Sequence, residues 1–136
     1  MKPGKIVLDS YALIAYLENK SGADQVKELL LQAEASGESL LMTIVNWGEV
    51  YYALSRSKGE SKAEESILII DQLPITLIEI NRAIAYQSAR LKAQYAVAFG
   101  DCFSAALAMV NQGQVLTGDP EFKNLEKEVS VIWLRN

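Results

Sequence analysis

The sequence predicts an α/β protein, a three-layer α/β/α sandwich around a mainly parallel central sheet. Three observations predict it. Short apolar runs of strand length alternate with longer segments whose apolar residues recur at helical spacing. Capping and turn residues stand at the joins. Strands that alternate with helices pair in parallel, and the crossover helices cover both faces of the sheet.

Ile6-Val7-Leu8 is an apolar run that ends at Asp9 and reads as a buried strand. A helix follows to about residue 19, with Ala12, Leu13, Ala15 and Leu17 at helical spacing. A second helix covers 24 to about 35, with Val26, Leu29, Leu30 and Ala33 on its apolar side and Ser36-Gly37 as its stop. Residues 40–43 read as the second strand. Asn46 reads as the N-cap of a helix over about 47–55, with Glu49 three residues later. Gly48 weakens the start of that helix. Ser57 to Glu60 resembles another capping box, before a helix that ends near Leu73-Pro74. Residues 75–78 are a third strand, weakly specified. Asn81 caps a helix reaching about residue 95. Gly100-Asp101 opens an apolar helix that ends near Gly113. Residues 115–117 are a fourth strand, broken by Gly118-Asp119-Pro120, and 129–133 are the last. There is no internal repeat, low-complexity tract or linker, so residues 1–136 are expected to form one domain.

Half of the 136 residues are apolar. A chain of that length buries roughly two-thirds of the surface its unfolded form exposes. Seventeen Asp and Glu against 13 Lys and Arg give a formal charge of −4. That balance weighs against a free nucleic-acid binder, because neutralising phosphates takes Lys and Arg. It leaves room for a nuclease whose acids are neutralised locally by metal. The single cysteine, Cys102, forbids an intrachain disulfide and agrees with a reducing cytosol. The N-terminus lacks the apolar stretch and small-residue cleavage site of a signal peptide. No uncharged apolar run reaches the roughly 18 residues needed to span a bilayer. A soluble cytoplasmic protein with no membrane association is expected.

The chain has no histidine. Ser-His-Asp and Cys-His triads and histidine-ligated zinc are therefore excluded. It has no phosphate loop of the Gly-x-x-x-x-Gly-Lys type and no Gly-x-Gly-x-x-Gly after the first strand. For an enzyme, acid chemistry with a metal remains. Asp9 and Asp119 end strands, Asp101 sits where a helix begins near the sheet's rim, and Glu49 is one turn into a helix after another strand. Sites in such sheets form beyond the carboxyl ends of the strands. One crevice there has room for all four. Each acid alone also fits a structural role: Asp9 and Asp101 as caps, Asp119 in a turn, Glu49 as the second half of a capping box with Asn46. Carboxylates packed together repel, and a divalent cation removes that repulsion. Hard oxygen ligands suit Mg2+ or Mn2+.

Asp9 after Ile-Val-Leu resembles the first acid of PIN domains. Asn46-Trp47-Gly48-Glu49-Val50 is similar to their second motif, a helix carrying Glu. Asp101-Cys102-Phe103-Ser104-Ala105-Ala106-Leu107-Ala108 resembles the third, an Asp followed by an alanine-rich helix. Val115-Leu116-Thr117-Gly118-Asp119-Pro120-Glu121-Phe122 matches the fourth most closely. Size and motif order look most like the VapC-type toxins of bacterial toxin–antitoxin pairs. The resemblance implies a metal-dependent endoribonuclease with Asp9, Glu49, Asp101 and Asp119 as catalytic and metal-binding acids, and RNA as substrate. It also implies a homodimer and a small antitoxin that blocks the acids. Two other readings compete. One is a non-catalytic interaction module that keeps the fold. The other is a phospho-acceptor receiver domain, which needs paired acids after the first strand and a lysine after a late one. Here Asp9 is followed by Ser10, and no lysine takes that place.

Thr117, two residues before Asp119, resembles a hydroxyl that steadies the acid cluster, and equally fits an ordinary strand threonine. Cys102, Phe103 and Trp133 are expected in the core. Arg56, Lys58 and Lys62 form one basic patch and Arg82, Arg90 and Lys92 another; both fit a solvated helix surface or a path for RNA phosphates. Six tyrosines exceed what a small core needs, and tyrosine is enriched at protein interfaces.

Overall fold

Among the described residues, 5–135 of this computed structural model, five strands form one sheet in which every neighbouring pair is parallel. They are β1 (Ile6–Leu8), β2 (Leu40–Thr43), β3 (Ile75–Ile78), β4 (Gln114–Thr117) and β5 (Ser130–Trp133), in the order β3-β2-β1-β4-β5. The segment 1–4, where no signal-peptide pattern was read, lies outside the described residues. The chain builds outward from β1 through β2 to β3, then returns to the other side of β1 with β4 and β5. A reversal of this kind leaves a crevice at the carboxyl ends of the two strands that flank it, here β1 and β4.

Six helices and one 3₁₀ turn connect the strands: α1 (Ser10–Leu17), α2 (Ala23–Ser36), α3 (Ile44–Lys58), α4 (Glu60–Asp71), α5 (Arg82–Gln94), α6 (Phe99–Val110) and the turn Pro120–Leu125. Alternation along the strands splits the core in two. Val7, Leu41 and Val115 face a cluster with Leu91 of α5, Leu107 of α6 and Phe122 of the turn. Leu8, Leu40, Met42 and Leu116 face the opposite cluster, with Leu13, Val26, Val50 and Ile70 of α1 to α4. This is the α/β/α sandwich expected from the sequence. Among the described residues, no helix is long and apolar enough to cross a membrane.

Several boundaries differ from the sequence reading. Asn46 is not the cap of α3. The helix begins at Ile44, and Thr43 caps it by accepting from the Asn46 N–H at 3.0 Å. Ser57 to Glu60 is not a capping box. Ser57 lies inside α3, and Gly59 (φ 95°) turns the chain between α3 and α4 with no side-chain cap. A side chain is strained at that φ and glycine is not. Helix α6 begins two residues before Asp101, with Ala98 as its cap residue. Asn81 does cap α5, accepting from Ile84 N–H at 2.9 Å.

Candidate functional site

At the mouth of the β1/β4 crevice, Leu8 pairs in register with Leu116, which brings the next residues, Asp9 and Thr117, side by side. Asp9 is almost fully buried, at 1% exposure. Its Oδ1 accepts from Ala12 N–H at 3.0 Å and so caps α1. Its Oδ2 accepts from the Thr117 hydroxyl at 2.7 Å. The same hydroxyl oxygen accepts from Asp119 N–H at 3.0 Å. Thr117, itself buried, thus ties the end of β1 to the turn after β4.

Asp119 caps the 3₁₀ turn, its Oδ1 accepting from Glu121 N–H at 3.0 Å. Pro120, at the first position, has no N–H to satisfy. Phe122, fully buried, pins the turn to the core. Glu121 then reaches α6, where its Oε1 accepts from Ala98 N–H at 3.0 Å. Helix α6 therefore receives its N-terminal hydrogen bond from a residue 23 positions away. Asp101 lies within the first turn of that helix.

Asp101, Asp119 and Glu121 each offer an oxygen, and those oxygens lie within 4.8 Å of one another. Asp101 is buried, and among the described residues no donor reaches its Oδ2; its carboxyl lies against that of Asp119, which can pair with it only when one of the two is protonated. Buried polar atoms are almost always paired, so an unpaired carboxylate oxygen calls for a ligand. Glu49 approaches from α3. Its Oε1 accepts from the Asn46 side-chain N–H at 2.8 Å, and the same amide nitrogen donates to the Gly100 carbonyl at 3.0 Å.

Electrostatics follow from this packing. Burial pushes Asp9 up to about 7, against the pull of its bonds to Thr117 and Ala12; the charges of Asp119 and Glu49 add to the rise. Burial pushes Asp101 up to about 8, with the charges of Asp119 and Asp9 next in importance. Protonation relieves both causes by discharging the acids; a bound cation relieves them with the carboxylates still charged.

Of the acids read from the sequence, Asp101 and Asp119 are in the tight group. Asp9 and Glu49 lie outside that group, yet their charges are felt at the site. Two residues were missed. Glu121, quoted only as part of a motif, belongs to the tight group; its spacing of two from Asp119 was the available signal. Asn46 was read as a cap and instead holds Glu49. Cys102 is buried and its thiol is pushed up to about 11 by burial, as an inert core thiol. Phe103 and Trp133 are half-buried against the core. In the basic patches, Lys58 pairs with Glu18 at 3.8 Å and Lys62 with Glu65 at 4.0 Å. Arg56 lies 5.4 Å from the Tyr52 ring, Arg90 bonds Gln87, and Lys92 donates to the Val97 carbonyl. Tyr11, Tyr52 and Tyr86 are exposed.

The PIN domain family model matches residues 6–128. No curated protein matches the chain. Solved structures that share the fold include VapBC2 from Rickettsia felis bound to a promoter DNA fragment, with a TM-score of 0.75 at 14% identity, over 93% of this chain and 96% of that one. The DNA-bound VapBC of Salmonella typhimurium has a TM-score of 0.75 at 16% identity, over 94% and 96%. Mycobacterium tuberculosis VapC20, a toxin that cleaves the sarcin-ricin loop, has 0.71 at 14% identity, over 92% and 96%.

Proposed function

The chain belongs to the PIN-domain family, and on that premise we propose that it is a metal-dependent endoribonuclease, the toxin of a toxin–antitoxin pair. One observation carries this: the buried Asp101 carboxylate, with an unpaired oxygen, grouped with Asp119 and Glu121. A bare group of that kind is costly. Two buried acids are pushed far above their usual range, and a hard divalent ion such as Mg2+ or Mn2+ matches an all-oxygen donor set.

Asp101 and Asp119 would hold the ion, with Glu121 in reach and the charge of Asp9 acting on Asp101 from beside the group. Glu49 would serve as a further ligand or would orient the attacking water. When bound, the ion supplies positive charge to the phosphodiester and acidifies that water. The chain's own residues do the rest. Thr117 orients Asp9, and the turn at Pro120 sets Asp119 and Glu121 at a fixed spacing. RNA as substrate is supported by the similarity to a toxin that cleaves the sarcin-ricin loop. A cognate antitoxin is supported by the similarity to several toxin–antitoxin complexes. A net charge of −4 suits a basic partner segment, and the exposed tyrosines suit a homodimer. One nuclease domain working in the cytoplasm completes this reading.

The competing reading is a non-catalytic module on the same fold. It leaves the buried acids without a use, since a scaffold gains nothing from clustered carboxylates. Titration calorimetry with Mn2+ and melting with and without the ion separate the two. Binding at millimolar metal or below and a higher melting temperature are expected. No heat and no shift at millimolar metal would overturn the metal-dependent reading.

A further inference from the structure

Thr43, not Asn46, caps α3, so the Asn46 side chain is free of that duty. It is fully buried at the seam between α3 and α6. Its Oδ1 accepts from the Thr43 hydroxyl at 2.6 Å. Its amide nitrogen gives one hydrogen to Glu49 and one to the carbonyl of Gly100. Both recipients are acceptors only, so only an amide or another double donor serves here. Gly100 completes the arrangement. A β-carbon there would overlap the Glu49 carboxylate, whose Cδ would stand 2.5 Å away. Glu49 therefore rests on bare backbone in the first turn of α6, one residue before Asp101.

We propose that Asn46 is a positioning residue: its amide fastens the Glu49 carboxylate onto the first turn of α6, so that Glu49 and Asp101 move as one unit around the metal. The proposal rests on the functional reading above, in which the acids hold a divalent ion. Helix α3 packs on one face of the sheet and α6 on the other. Without a tie at the rim, the two acids ride on separate layers. An untethered Glu side chain must also give up its rotamer freedom each time it meets a ligand. Partners that orient a ligating carboxylate commonly matter as much as the ligand.

Three variants test this. Asn46→Asp keeps the size but sets a third oxygen against two acceptors. Gly100→Ala leaves Asn46 untouched and fills the space under Glu49. Its methyl meets only the far end of a flexible side chain, and alanine is the better helix former, so the fold should hold. Gly48→Ala, in α3 where a β-carbon meets open space, is the control. The first two should lower kcat for RNA cleavage about 10- to 100-fold with KM little changed, and weaken Mn2+ binding by a similar factor. Gly100→Ala should do so with a melting temperature near that of the wild type, the helix gain of alanine offsetting the lost Asn46–Glu49 bond, so that the loss of activity does not come from unfolding. The control should cut RNA like the wild type. The bond itself is read without metal by a double-mutant cycle of Asn46→Ala and Glu49→Ala, whose melting shifts should be non-additive. Wild-type turnover and Mn2+ affinity in Asn46→Asp or Gly100→Ala would overturn the proposal, and so would additive melting shifts. A wild-type protein inert towards both Mn2+ and RNA overturns the functional reading instead, and the fastening is then decided by the cycle.

Discussion

The Thr117 hydroxyl donates to Asp9 Oδ2 at 2.7 Å, a bond between residues 108 apart in sequence. It crosses the point where the strand order reverses, and it is the one bond that opposes burial at Asp9 most strongly. Thr117→Val preserves the shape and removes the hydroxyl. Asp9 Oδ2 and the Asp119 N–H then lose their shared partner. A buried polar group left unpaired costs about 1–3 kcal/mol. The variant should melt several degrees lower in EDTA and bind Mn2+ more weakly, because Asp9 is held further toward its protonated form. An unchanged melt would show that Thr117 is an ordinary strand residue.

The raised acids give the metal-free protein a pH dependence of definite sign. Asp9 stands at about 7 and Asp101 at about 8, against a usual 3.8 for both. Between about pH 4 and 8, the folded state therefore holds more protons than the unfolded one. Stability must fall as pH rises through that window, by on the order of 4 kcal/mol for Asp9 alone. Melts in EDTA from pH 5 to 8.5 should show the fall. Saturating Mn2+ should offset it, and Mn2+ affinity should rise with pH as protons are displaced. A metal-free melting temperature that climbs across this range would contradict the buried-acid account.

Glu121 has two attachments that substitution can separate. Glu121→Gln keeps an acceptor for the Ala98 N–H and removes the charge from the group with Asp101 and Asp119. Metal-free stability should hold or rise, while the stabilisation gained from metal should shrink. Glu121→Ala also removes the hydrogen bond at the start of α6 and should cost about 1 kcal/mol more. Equal metal responses in wild type and Glu121→Gln would remove Glu121 from the ion's surroundings.

The parts of the site that sequence made legible are those set by local order. A strand, an acid and a helix in succession placed Asp9. A strand followed by Gly-Asp-Pro placed Asp119. The start of α3 was misread because Thr43 and Asn46 are both good caps, and the β-branched Ile44-Val45 between them look like strand. The start of α6 was misread for a different reason. Ala98 has no capping side chain, and its N–H is satisfied by Glu121 from across the fold. The strand order is likewise a long-range fact, so the nearness of Asp9 to Thr117 is set by the pairing of β1 with β4 and not by local sequence. Clustering of the acids was inferable, but their division into a tight trio and two flanking groups was not.

Asp101 Oδ2 is buried, and no donor among the described residues reaches it. Asn caps helices as well as Asp, and Asp101 does not cap α6 in any case. Asp101→Asn is therefore gentle to the fold and severe to a metal site. The deciding measurement is the initial rate at which purified protein cuts single-stranded RNA in Mn2+, wild type beside Asp101→Asn. The wild type should cut RNA in a reaction that EDTA abolishes, and the variant should be slower by orders of magnitude. A variant that cuts like the wild type, or a wild type that cuts equally well in EDTA, would contradict the metal-dependent reading.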